Sequence, residues 1–184
     1  NIVIKPTFKE YSAMPDEIVL TIDPKMSFGT GEHQTTKLIL RLLEKYVTKG
    51  MKVLDIGSGT GILAIAAVKL GASNAVAVDF DDICLENCKE NSLINEVSDS
   101  VEILIGEIDD VKENDFDLIL ANIQKNVLLE IAGKLKSKLK SGGVIILSGL
   151  LESDKYEIEE KYHSLGFDTL QLEKMDEWIA VVLV

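Results

Sequence analysis

Nine residues, Val53-Leu54-Asp55-Ile56-Gly57-Ser58-Gly59-Thr60-Gly61, constrain this chain most: an apolar β run meets three glycines at alternate positions, and helix-forming Ile62-Leu63-Ala64 follows. Glycine lets the backbone turn sharply and lets a ligand approach atoms that a Cβ would shield. The helix that follows offers unpaired N–H groups at its start. Eighteen residues beyond Gly61, a second β run, Ala75-Val76-Ala77-Val78, ends at Asp79. A carboxylate there can accept hydrogen bonds from both hydroxyls of a ribose. Strand, turn, helix and acid in this order describe a nucleoside pocket; the bland alternative is a glycine-rich turn that binds nothing.

The third glycine separates two kinds of nucleoside. A dinucleotide fingerprint needs G-x-G-x-x-G, its last glycine packing helix against strand. Ile62 holds that place, and the glycine falls one residue early. The spacing Asp55-x-Gly57-x-Gly59-x-Gly61, with Asp79 after the next strand, instead resembles the S-adenosyl-L-methionine site of Rossmann-like methyltransferases.

The rest of the pattern alternates. Residues 1–24 read as an irregular or β-containing lead-in, and a helix is predicted over 33–46. Strands follow at 52–57, 75–79, 101–105, 116–121 and 143–148, with helices at 61–70, 81–93, 124–139 and 152–165. Two β runs near 167–174 and 177–184 close the chain, separated by Met175-Asp176 with no helix between them. Alternating strands and helices imply a mainly parallel sheet covered on both faces. Two strands without a crossover must pair antiparallel. The expected fold is therefore α/β, Rossmann-like and doubly wound, with a seven-stranded sheet that ends in an antiparallel C-terminal hairpin.

At 184 residues the chain is long enough for one well-buried core. Its formal charge of −12 argues against a broad grip on nucleic-acid phosphates and favours a basic protein or a small molecule as partner. No apolar run approaches the roughly 20 residues that span a bilayer, and no signal-peptide pattern is present, so a cytoplasmic location is expected. Cys84 and Cys88, four apart on a predicted helix with no Cys or His cluster nearby, suit packing rather than a metal site or a disulfide framework. The basic run Lys134, Lys136, Lys138 and Lys140 reads as a solvated helix end that complements the helix dipole.

One further segment, Asp23-Pro24-Lys25-Met26-Ser27-Phe28-Gly29-Thr30-Gly31-Glu32-His33-Gln34-Thr35-Thr36, resembles the signature of the ribosomal protein L11 methyltransferase family. The resemblance continues through Asp55 to Gly61, Asp79, Ala121-Asn122-Ile123, Ser148-Gly149 and Glu177-Trp178, and so covers nearly the whole chain. It implies an S-adenosyl-L-methionine-dependent protein N-methyltransferase acting on amino groups of L11. It also implies a division into a lead-in with a cofactor-covering loop, 1–32, and a methyltransferase domain, 33–184. Family members carry a small N-terminal substrate-recognition domain as well; no counterpart is expected within these residues.

On this resemblance the cofactor contacts fall on Thr36, Gly57, Asp79 and Asn122, with Gly59, Gly61, Phe28 and Thr30 beside them. Thr36 can offer its hydroxyl to the cofactor or simply start a helix. Glu107, after the third strand, either sits beside the adenine or is a surface glutamate. Asn122 and Ile123 lie at the carboxyl end of the fourth strand, where open parallel sheets collect ligands. The Asn122 amide oxygen and the Ile123 carbonyl can accept hydrogen bonds from a substrate nitrogen, which assigns them the catalytic positions. His33 is either a helper or a residue that orders the loop before it. Lys25 and Ser27 depart from the family pattern, as does Gln124-Lys125-Asn126-Val127, and these positions are expected to border the substrate mouth. Three other readings stand beside L11 methylation. They are methyl transfer to another protein or small molecule, a cofactor-binding module without independent activity, and a dinucleotide oxidoreductase, which Ile62 disfavours.

Overall fold

Buried parallel strands read as nearly continuous apolar runs because both of their faces are covered. The computed structural model, which describes residues 1–23, 25, 29 and 31–184, places three such runs side by side, β3 (Lys52–Ile56), β4 (Asn74–Asp79) and β6 (Phe116–Asn122), with the less covered β5 (Val101–Ile105) at the edge beside β4. β7 (Leu139–Leu151) continues the parallel array beside β6. The sheet order is β5-β4-β3-β6-β7-β9-β8, where β8 (Thr169–Met175) and β9 (Trp178–Leu183) form the closing hairpin. β9 is the strand that pairs antiparallel with β7, which leaves β8 at the edge. Burial follows this order: β9 is enclosed along most of its length and β8 is only partly covered.

Successive side chains of a strand point to opposite faces, and the core divides accordingly. Val53, Ala75, Ala77, Leu118, Leu120 and Ile146 face one layer, with α1 (Gln34–Tyr46) and α2 (Ile62–Lys69). Leu54, Val76, Val78, Ile119, Ala121 and Ile145 face the other, with α4 (Lys125–Lys138) and α5 (Lys155–Ser164). α2 is apolar all round and buried from Ile62 to Ala67, whereas α1 buries one stripe that includes Leu38, Ile39, Leu42 and Leu43. The remaining helix, α3 (Asp82–Ile94), sets Cys88 into the first layer.

The lead-in holds β1 (Ile2–Lys5) and β2 (Ile18–Thr21), paired in parallel as a separate two-stranded sheet. Leu20 and Ile22 enter the same core cluster as α1 and α2. Two boundaries differ from expectation for local reasons. β7 runs longer at both ends, because Leu139 pairs with Phe116 and Leu151 with Trp178. The hairpin turn falls at Asp176-Glu177, since Met175 still pairs with Trp178. Asp176 takes the positive φ of 55° that this tight reversal requires.

The strand sequence runs outward from β3 in two directions, to β4 and β5 on one side and to β6 and β7 on the other. Ligands of open α/β sheets bind outside the carboxyl ends of the strands at such a reversal. Gly57, Asp79 and Asn122 stand there.

Candidate functional site

All three glycines after β3 have positive φ, 72° at Gly57, 52° at Gly59 and 79° at Gly61. The turn is tied to the next strand by the N–H groups of Gly57 and Ser58, which donate to the Val78 carbonyl at 2.8 and 3.1 Å. Gly59 N–H donates to Asp79 Oδ2 at 2.9 Å and Asp81 N–H to Asp79 Oδ1 at 3.1 Å. The Asp79 carboxylate is thus fixed by its own surroundings, while each oxygen keeps acceptor capacity for a ligand. Asp55 lies beneath the turn, fully buried, and its Oδ2 accepts from Ala64 N–H in the first turn of α2 at 3.1 Å. Burial, opposed by that hydrogen bond and reinforced by nearby Asp79, pushes its carboxyl up to about 7.

The turn opens on a cavity of about 980 Å³ lined from β3, β4, β6 and α4. Gly57, Gly59, Asp79, Glu107, Asn122 and Ile123 all line it. Thr36 and Gly61 do not. Thr36 is buried in the first turns of α1 with its hydroxyl unpaired among the described residues, and its neighbour Thr35 reaches the wall instead. Gly61 begins α2, where an added Cβ would lie 2.3 Å from Cys88 Sγ; the third glycine lets α2 approach α3. Phe28 and Thr30 lie outside the described residues.

The end of β6 is shaped by two glycines. A Cβ at Gly57 would meet the Ile123 side chain at 2.3 Å, and one at Gly149 would meet the Ile123 carbonyl oxygen at 2.4 Å. Beside this clamp, Asn122 Oδ1 is buried without a hydrogen-bond partner among the described residues. An unpaired buried acceptor costs about 1–3 kcal/mol. The residue itself lines the cavity.

His33 caps α1: Nδ1 accepts from Thr35 N–H at 3.3 Å and lies 2.8 Å from Thr35 Oγ1. With Nδ1 accepting, a neutral ring carries its proton on Nε2. The imidazole also meets Trp178 edge-on at 4.9 Å, and both rings line the cavity. At the other end stand Phe80, 80% exposed, with Ile83 and Cys84 on α3, and Lys134, which pairs with Asp109 at 2.5 Å. The sequence signal for Phe80 is only its place after Asp79, and Ile83 and Cys84 follow in the first turn of α3.

Two surface expectations need correction. Of the Gln124 to Val127 segment, Gln124 and Val127 line the cavity, but Lys125 pairs with Asp154 at 3.2 Å and Glu157 at 2.8 Å on the α5 side. Those carboxylates, Glu157 foremost, hold the Lys125 ammonium above its ordinary range. Lys136 and Lys138 do stand in the last turn of α4, where they complement its dipole, but the lysines from 134 to 140 are also bonded. Lys134 bonds Asp109, Lys136 the Leu165 carbonyl, Lys138 the Val111 carbonyl and Lys140 Asp117.

Strand order, glycine turn, strand-end acid and antiparallel hairpin together define the class I methyltransferase fold. A methyltransferase from Pyrococcus furiosus shares that architecture with a TM-score of 0.74 at 20% identity over 89% of this chain and 87% of that one. The family model for ribosomal protein L11 methyltransferase matches residues 1–184, and the chain belongs to that family. A ribosomal protein L11 methyltransferase of Acetivibrio thermocellus is 40% identical over 183 residues, which cover all of this chain and 58% of that protein. One from Alkaliphilus oremlandii is 41% identical over 182 residues, again 58% of its length. The chain therefore spans about 58% of the length of these curated relatives. A solved ribosomal protein L11 methylase from Lactobacillus delbrueckii subsp. bulgaricus superposes with a TM-score of 0.93 at 32% identity, covering 100% of this chain and 94% of that one.

Proposed function

We propose that this chain is the catalytic part of an S-adenosyl-L-methionine-dependent N-methyltransferase whose substrate is ribosomal protein L11. The observation that carries the reading is Asn122, its Oδ1 buried and unpaired among the described residues, in a cavity that Asp79, Gly57 and Gly59 also line. Bound there, S-adenosyl-L-methionine supplies a methyl group on a sulfonium with a good leaving group. A solved methyltransferase from Thiobacillus denitrificans, which shares the fold at 15% identity and a TM-score of 0.64, is in complex with S-adenosyl-L-homocysteine.

The residues then divide the work. Asp79 receives the ribose hydroxyls with the oxygen capacity left over from Gly59 and Asp81. Gly57 and Gly59 admit the ligand close to the main chain, Gly61 acts indirectly by fixing the start of α2, and Glu107 borders the adenine end. Thr36 belongs to the set through its unpaired hydroxyl, and Phe28 and Thr30 through the family pattern, as parts of the covering loop within 1–32. Asn122 Oδ1 and the Ile123 carbonyl accept from the acceptor nitrogen and turn its lone pair toward the methyl group. Glycine at 149 keeps that carbonyl open.

An amine attacks only when neutral. An ordinary lysine titrates near about 10.4, so desolvation in the cavity must lower it before reaction. His33 Nδ1 is engaged in capping α1, which favours proton release to water over a role for that atom as base. In-line positioning of the two reactants is worth several kcal/mol of barrier.

L11 as acceptor rests on the names of the relatives, and a cytoplasmic setting follows from a ribosomal substrate. Among the described residues no helix is long and apolar enough to cross a membrane. The charge of −12 speaks for a basic polypeptide rather than nucleic acid. Calorimetry with S-adenosyl-L-methionine against NAD and transfer of labelled methyl to L11 test the reading together. Asn122→Ala is expected to lower kcat more than it raises the cofactor Kd, the mark of an interaction made chiefly in the transition state. A variant that binds cofactor poorly yet turns over normally at saturation refutes the positioning role of Asn122.

A further inference from the structure

α3 presents three buried amides one turn apart, Asn87, Asn91 and, at its C-terminal cap, Asn95. Four residues of helix advance about 6 Å, close to the roughly 6.6 Å covered by two residues of extended chain. The stripe can therefore match alternate residues of an extended segment, and it does. Thr21 N–H donates to Asn95 Oδ1 at 2.9 Å, and the Thr21 carbonyl accepts from Asn95 Nδ2 at 2.7 Å. Two residues on, Asp23 N–H donates to Asn91 Oδ1 at 2.9 Å, and its carbonyl accepts from Asn91 Nδ2 at 3.3 Å. Each side-chain amide does for the segment what a neighbouring strand would do.

The two rungs differ in what else they hold. Asn91 Nδ2 also donates to the Thr60 carbonyl at 3.0 Å and to Asn87 Oδ1 at 3.2 Å, so two N–H bonds serve three acceptors and Thr60 is the nearest. Thr60 Oγ1 donates in turn to the Gly29 carbonyl at 2.7 Å. Among the described residues Asn95 makes no hydrogen bond with the glycine turn; its further partner is the Asn91 carbonyl. Asp23 is thereby held by Asn91 and Gly29 by Thr60, and both ties converge on the turn that lines the cavity. An exposed pair, Lys25 with Glu90, adds to the same attachment but is weak in water.

We infer that Asn91 is a positioning residue that locks Asp23 and, through Thr60, Gly29 to the glycine turn, and so sets the shape of the ligand cavity. This deepens the reading of that cavity as the cofactor pocket and rests on it. Asn95 is the built-in control, because it makes an equivalent rung without reaching the turn.

The test compares Asn91→Ala, Asn95→Ala and Thr60→Val. Both asparagine variants lose a buried rung and are expected to melt earlier. In the ligand-free protein, amide hydrogen exchange in Asn91→Ala should accelerate at Asp23, Lys25 and Gly29 and at Gly59 to Gly61. In Asn95→Ala the acceleration should stay near Thr21. By calorimetry, Asn91→Ala should weaken S-adenosyl-L-methionine binding about tenfold, the scale of one buried hydrogen bond, and Asn95→Ala less than about twofold. Thr60→Val reads the same link from its other end without altering α3. Its exchange should rise at Gly29, and its effect on affinity should be less than additive with Asn91→Ala. Should Asn91→Ala fail to fold, the Thr60→Val exchange pattern decides. Equal losses of affinity in both asparagine variants, an unperturbed glycine turn in Asn91→Ala, or unchanged exchange at Gly29 in Thr60→Val, overturn the inference. Failure of the unmodified chain to bind S-adenosyl-L-methionine would instead overturn the cofactor reading, and hydrogen exchange would still decide whether Asn91 couples the two loops.

Discussion

Asp55 and Asp79 sit on adjacent strands, yet their surroundings give them opposite tasks. Asp79 faces the cavity and receives two main-chain N–H groups, one on each oxygen. Asp55 is sealed beneath the turn with one oxygen bonded to Ala64 N–H and the other unpaired. Its carboxyl moves from the ordinary 3.8 to about 7. Between those values the native state binds the proton and the unfolded chain has released it, so stability falls as pH rises through that window. Above about 7 the folded protein holds a buried charge. Asp55→Asn keeps an acceptor for Ala64 N–H and removes the charge. We expect the stability advantage of the variant to grow by about 1–3 kcal/mol from pH 4 to pH 8, less than the full shift implies because neighbouring groups relax. Urea denaturation at both pH values measures it, and a difference that stays constant with pH would show that Asp55 is not neutralised in the native state.

At the scale of elements, helix-to-helix approach at Gly61 decides how the turn meets α3. A Cβ there would combine a φ of 79° with a 2.3 Å approach to Cys88 Sγ. Left-handed backbone costs an ordinary residue about 1–2 kcal/mol, and overpacking costs about 1–3 kcal/mol more. Gly61→Ala should therefore lower the thermal midpoint clearly. Adding Cys88→Ala should recover the overpacking share but not the backbone share, so the double variant falls between Gly61→Ala and Cys88→Ala. A double variant no better than Gly61→Ala alone would remove Cys88 as the obstacle. The three alternate glycines were legible in the chain because they follow an apolar strand; the partner of the third was not. Cys88 lies 27 residues away, and only the packing of two helices brings it close. The same holds for Asn91, whose partners Asp23 and Thr60 are 68 and 31 residues distant. Gly57, Asp79 and Asn122 could be read in advance because strand ends fix their place without tertiary detail. Thr35 and Thr36 could not be ranked, since neighbours on a helix differ in which face they present, and that depends on how α1 is rotated against the sheet.

For the whole molecule the decisive quantity is charge. The chain carries 31 acidic against 19 basic residues. Many of its lysines are already engaged: Lys125, Lys134 and Lys140 face carboxylates, and Lys136 and Lys138 bond main-chain carbonyls. The field at the cavity mouth is therefore negative, with Asp81, Glu107 and Glu130 among its lining residues. Such a field draws a basic polypeptide toward the site and raises its association rate, an effect that salt screens. The screening length shrinks from about 30 Å at 0.01 M to about 8 Å at physiological ionic strength. If L11 is steered in this way, kcat/KM for L11 should fall several-fold across that range while kcat at saturation changes little, because the chemical step occurs within contact distance. The cofactor Kd should change less than kcat/KM, since its contacts lie inside the cavity. Steady-state rates at a series of salt concentrations, with cofactor binding measured in the same buffers, check this. A kcat/KM independent of salt would argue for an acceptor recognised by apolar contacts, and Phe80, Ile83 and Val127 at the mouth would then be the residues to vary.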